Sequence, residues 1–150
     1  MLRMLLSFIF LVSGGCVAHT QGLVRLDEGA ALLLEPQGKL TRLRLGQDSA
    51  PLQHLEGHLA DVDGVRSPLG LWVVDWKVPQ GLHGMEVWVG PLGELGVQVG
   101  VQDRNSGAWY ELLPDSASLL RPYVGEVVLV EGYVEGPHQI RVLSYRVLAP

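Results

Sequence analysis

Cysteine is almost absent from this chain: Cys16 is the single thiol in 150 residues. An intrachain disulfide is therefore impossible, and a zinc site built on paired cysteines is excluded with it. Long apolar runs are missing too. The stretch from Met4 to Val12 is too short to span a bilayer, which takes roughly 20 apolar residues. Basic residues are few, 11 against 16 acidic, for a formal charge of −5, and they are scattered along the sequence. That balance repels phosphate backbones, so no nucleic-acid partner is expected. Catalytic signatures are also lacking, with no G-x-S-x-G elbow and no H-E-x-x-H. Acids are plentiful, but nothing in the sequence pairs two of them across a cleft. We therefore expect no enzyme and no cofactor.

What is present reads as a small, mainly β protein. The hydrophobic fraction of 47% is ample for a core, and 19 Gly and 9 Pro spread along the chain mark many turns between short strands. Length allows one domain that needs no disulfide or metal to hold it. Strands are predicted at 30–35 and 40–45, joined across Pro36-Gln37-Gly38-Lys39 as an N-terminal hairpin over 24–46. Further strands are predicted at 52–62, 71–78, 85–89, 95–102, 108–113, 126–135 and 139–148. Gly90-Pro91-Leu92-Gly93 is read as a turn, and Asp115 to Leu120 as the one short helix, stopped before Pro122.

The first residues form a pattern of their own. A basic start at Met1-Leu2-Arg3 leads into the apolar stretch and then Ser13-Gly14-Gly15-Cys16. This arrangement resembles the signal and lipobox of bacterial lipoproteins, with Gly14, Gly15 and Cys16 matching and Ser13 departing from the usual Leu. The resemblance implies that residues 1–15 are removed and that Cys16 becomes an acylated first residue carrying diacylglycerol and an amide-linked chain. Residues 16–23 are then expected to be a lipidated tether. Val17 in place of Asp implies the outer membrane, with the protein lipid-anchored and facing the periplasm.

A second resemblance lies in the C-terminal part. Trp109 to Leu113, a helical turn to Leu120, Val124 to Gly132 and Ile140 to Leu143 resemble the C-terminal half of an OB-fold. The implied architecture is one small OB-like β-barrel over 52–150. Members of that fold bind oligonucleotides, oligosaccharides or proteins, so the fold does not choose the ligand.

Three constellations are candidates for chemistry. His54-x-Glu56-x-His58 would put three metal-ligating types on one face of a strand, although the two histidines would stand about 13 Å apart. A solvated strand face is the favoured reading, and no metal is expected there. Asp61-Val62-Asp63-Gly64 lacks the later ligands of a calcium loop and reads as a turn. The glycines from Gly90 to Gly100 lack phosphate-loop spacing. Among the aromatics, Trp72 and Trp76 share strand parity with valines and are expected in the core, whereas Trp88 with Trp109 or Tyr110 is expected to form an exposed stacking patch.

The expected function is that of a non-catalytic envelope lipoprotein, an adaptor or scaffold that docks an envelope protein partner of a secretion, export or motility complex. The alternative is an oligosaccharide- or peptidoglycan-binding module.

Overall fold

The computed structural model describes residues 16–148. In the first part, β1 (Val17–Asp27) buries Thr20, Gly22 and Val24 on one face and turns His19, Gln21 and Leu23 outward. It pairs antiparallel with β4 (Leu59–Ser67) through residues 17–23 and with β2 (Ala30–Leu34) through residues 23–27. Gly22 sits beside that change of partner, and a Cβ there would overlap the carbonyl oxygen of Leu34. β3 (Leu40–Arg44) follows β2, lies parallel to β5 (Gly70–Lys77), and β5 returns to β4. The ring is closed.

The second part repeats this plan. β6 (Glu86–Leu95) pairs with β9 (Val127–Gly136) through residues 86–91 and with β7 (Gln98–Gln102) through residues 92–95. Gly90 stands at the change of partner, and its missing Cβ admits the carbonyl oxygen of Gln102. β8 (Trp109–Leu112) continues from β7 and lies parallel to β10 (Gln139–Val147), which closes onto β9. The short helix α1 (Pro114–Leu120) connects β8 to β9. Both rings have the strand order first, second, third, fifth, fourth, with a parallel pair between third and fifth. That is the OB-like barrel, built twice. Closure leaves neither sheet an open edge.

The expected class, mainly β with an OB-like barrel and one short α-helix, is what the described residues adopt. The strand pairing divides the chain differently from the sequence reading, however. Residues 24–46 are not a hairpin standing apart from one barrel over 52–150, because β2 and β3 close the first ring with β1, β4 and β5. The expected tether at 16–23 is the leading half of β1. Its apolar alternation is hidden because Thr20 and Gly22 occupy inward positions. Residues 52–62 are not one strand either. Pro51 presets the backbone of a 3-10 turn over Ala50–His54, and Gly57, at φ +85°, redirects the chain before β4. Gly90 to Gly93 is no turn but the middle of β6. The expected signal segment, 1–15, lies outside the described residues.

The two barrels share apolar contacts. Along β9, Val128 and Val130 point into the second barrel, whereas Leu129 points out and joins the first barrel's core with Val89 and Leu148. Leu52, Leu55 and Val78 belong to that same cluster. Each fully buried aliphatic side chain contributes about 1.5–3 kcal/mol, so this seam holds the barrels against one another.

Candidate binding surfaces

The outer face of the first barrel carries a row set by strand register: Val17 opposite Val65, Val65 opposite Trp72, and Trp72 opposite Arg44. Trp72 was expected in the core beside Trp76, but it is 47% exposed while Trp76 is 3% exposed. The cause is a β-bulge. Between Asp63 and Gly64, β4 advances one residue while β5 advances two, so an extra residue at Val74 reverses the parity. The Arg44 guanidinium lies 5.2 Å from the centre of the Trp72 ring, a cation–π contact.

Beyond that row the fold gathers basic residues that are scattered in sequence. Lys39, Arg42 and Arg66 line a groove of about 540 Å³ together with the exposed Leu40 and Leu69. Arg42, Arg44 and Trp72 line a second groove of about 240 Å³. The nearby Glu35 accepts from Thr41 Oγ1 at 2.7 Å and from Arg66 Nη2 at 3.4 Å. The Thr41 hydroxyl and, secondarily, the Arg66 charge hold its carboxyl below the usual range despite some desolvation. Guanidinium groups beside an exposed indole and aliphatic side chains suit an anionic, amphipathic ligand.

The neighbouring rows on this face are different. His19 Nδ1 lies 2.7 Å from Asp63, and Asp75 stands opposite Asp63. Next come Gln21, which donates to Asp61 at 2.5 Å, and Lys77, 3.7 Å from the same carboxylate. His19, Asp61, Asp63, Asp75 and Lys77, together with Arg104 and Trp76, line a polar groove of about 380 Å³.

Cys16 is exposed and unbonded, one residue before β1. The other residues singled out in the sequence do not gather as expected. Trp88 is 5% exposed and packs in the second core, its ring 5.6 Å from that of Tyr110. It points inward because β6 turns Val87 and Val89 toward the first barrel, so it cannot belong to a surface patch. Tyr110 is partly buried against the same core and faces His138 at 5.2 Å. Trp109 lies across Gly93 and Gly100, which have no side chains to lift it away. His54 ends the 3-10 turn, Glu56 is exposed, and His58 is buried, so the three do not share a face. Among the described residues no group of three or more His, Cys, Asp or Glu is placed to hold a metal.

Sequence reasoning missed the polar clasp between the barrels. Glu131, 1% exposed, accepts from the backbone N–H of His83 at 2.7 Å and of Met85 at 3.3 Å, with His83 Nδ1 at 3.1 Å. Burial alone would raise its carboxyl, but these contacts outweigh it and hold it below the usual range. Arg146 donates to the carbonyls of His54 and Glu56 at 3.1 and 3.2 Å. The Arg104 guanidinium covers Trp76 at 4.2 Å and reaches Asp75 at 3.2 Å. His58 is 2% exposed with Nδ1 unpartnered, and burial, aided by the Arg146 charge, lowers its pKa. Only the pairing of Glu131 with a sequence-distant His could have signalled this, and sequence does not reveal distance.

No family model matches the chain, and no curated protein matches it. Among solved structures, one similar chain is a deletion mutant of the single-stranded DNA binding protein from Thermus aquaticus. Identity is 13%, coverage is 86% of this chain and 92% of that one, and the TM-score is 0.31. Another is yeast Ssd1, described as a pseudonuclease, at 10% identity, with 85% of this chain and 23% of that one covered and a TM-score of 0.28.

Proposed function

We propose that the protein is a non-catalytic, lipid-anchored adaptor of the bacterial envelope. Acyl chains on Cys16 hold it in the outer membrane, facing the periplasm, and its two barrels present a rigid surface to a component of a secretion, export or motility complex. The observation that carries this reading is the placement of Cys16: the chain's one thiol is exposed and unbonded, one residue before β1. Two ester-linked chains and an amide-linked one hold far more firmly than a single chain, which gives only marginal binding.

Replacing Cys16 with Ser tests the anchor. The variant is expected in the soluble periplasmic fraction, and its retention in membranes would count against acylation as the tether. Affinity capture of the tagged wild type from solubilised membranes tests the adaptor role, with a recurrent stoichiometric envelope protein as the expected result and none as the contrary one.

The exposed Trp72 with its Arg44 contact favours one second reading, an oligosaccharide- or peptidoglycan-binding module. Indoles on a protein surface stack on sugar faces, so titration with peptidoglycan fragments would change tryptophan emission under that reading. An unchanged spectrum excludes it.

A further inference from the structure

We propose that the Val17–Val65–Trp72–Arg44 row is the surface on which the first barrel lies against an anionic phospholipid bilayer. This rests on the reading of Cys16 as the acylated residue and specifies how the anchored protein sits. Because β1 starts at Val17, acyl chains on Cys16 would leave no linker between lipid and barrel. Neighbouring strands lie about 4.8 Å apart, so Trp72, two strands away from Val17, is within about 10 Å of it. Whatever face surrounds Cys16 must then meet the membrane.

That face has the chemistry of an interfacial surface. Val17 is 67% exposed and Trp72 nearly half exposed, and Leu69 projects from the tip of the β4–β5 hairpin. Tryptophan is enriched where its apolar ring meets headgroups. Arg44 stacks on Trp72, and Arg42 and Arg66 line the adjoining groove, which places three guanidinium groups level with lipid phosphates in a chain whose net charge is −5. Such residues each add about 1 kcal/mol of attraction to an anionic surface. One acid lies inside this footprint, Glu35, whose carboxylate is 3.4 Å from Arg66 and partly offsets its charge, leaving Arg42 and Arg44 as the freer guanidinium groups. The other acids bound it: Asp63 and Asp75 form the next row of the barrel face, and Glu28 stands in the β1–β2 turn beside the Arg44 groove.

The test uses the purified native protein reconstituted into phosphatidylglycerol–phosphatidylcholine vesicles brominated on the acyl chains close to the glycerol. Bromine quenches an indole only at short range. Wild type is expected to lose part of its tryptophan emission, and Trp72→Phe, checked for native circular dichroism, to lose almost none. Arg42→Glu with Arg44→Glu is expected to reduce the quenching and abolish its salt sensitivity. Quenching that is absent from the acylated wild type, or equal in Trp72→Phe, overturns the proposal while leaving the anchor intact. The mass of the same sample reports acylation separately. If Cys16 carries no lipid, the anchor reading fails, and the surface is judged by co-sedimentation of the protein with the same lipids at low salt. Binding that weakens at least about fivefold for each arginine reversed sustains it, and no binding overturns it.

Discussion

His58 shows how one side chain ties stability to pH. Its ring is buried with Nδ1 unpartnered, and burial, reinforced by the Arg146 charge, depresses its pKa below 6.5. The unfolded chain therefore takes up a proton before the folded one does. Stability is fully present above pH 6.5 and falls as the pH drops toward the folded value, with a slope of at most about 1.4 kcal/mol per pH unit. Urea titrations at a series of pH values should show this slope in wild type and its loss in His58→Gln. A flat wild-type profile below 6.5 would contradict the assignment. Glu131 works in the same direction at lower pH. Its carboxyl sits below the usual range, so its contribution is present above pH 4.5 and is lost as the pH falls through the folded value. Glu131→Gln gives up a charged acceptor for the N–H groups of His83 and Met85 and should cost about 2–3 kcal/mol in chemical denaturation. A change below 0.5 kcal/mol would mean that the segment carrying His83 and Met85 is held by other contacts.

Among the elements, β1 and β6 do the same work in their two barrels, each bending from one partner strand to another beside a glycine. Gly22→Ala and Gly90→Ala would push a Cβ into the carbonyl oxygens of Leu34 and Gln102, which are backbone atoms and cannot step aside. Each should destabilise by about 1–3 kcal/mol. Gly46→Ala meets open space and should change stability little or raise it slightly. Equal thermal shifts for all three variants would refute this account of the bend. These elements also mark how far the sequence could be read. The two C-terminal strands, the helix before Pro122 and the hairpin across Gly38 follow from local alternation and turn chemistry, and the structure contains them. β1 was not legible because Thr20 and Gly22 stand where the pattern wants aliphatics. The exposure of Trp72 was not legible because one bulge residue, Val74, reverses the strand parity after it. Nor could the sequence show that β3 and β5 lie parallel, or that β8 and β10 do, since those pairings join distant segments. The site suffered in the same way: Arg42 and Arg44 are neighbours in sequence, but Arg66 and Trp72 join them only through barrel closure.

At the scale of the whole molecule, two barrels built on one plan are joined by Val89, Leu129 and Leu148 inserting into a core they share with the first barrel. Arg104, Arg146 and Glu131 clasp the rim of that seam. The barrels should therefore unfold together. Far-ultraviolet circular dichroism and tryptophan emission are expected to give coincident denaturation curves, and two separated transitions would show independent barrels. Arg104→Ala should lower the common midpoint without splitting it, since it removes the cation lying on Trp76 and leaves the apolar seam in place. In a pair joined in this way the position of the first strand bears on the whole body, so under the proposed anchoring at Cys16 the residue preceding β1 would fix how the protein is held. The most direct measurement is the intact mass, with fragmentation of the N-terminal peptide, of the protein isolated from its native envelope. The account predicts a chain that begins at Cys16 and bears three fatty chains, and a free Cys16 sulfur in the isolated protein would contradict it.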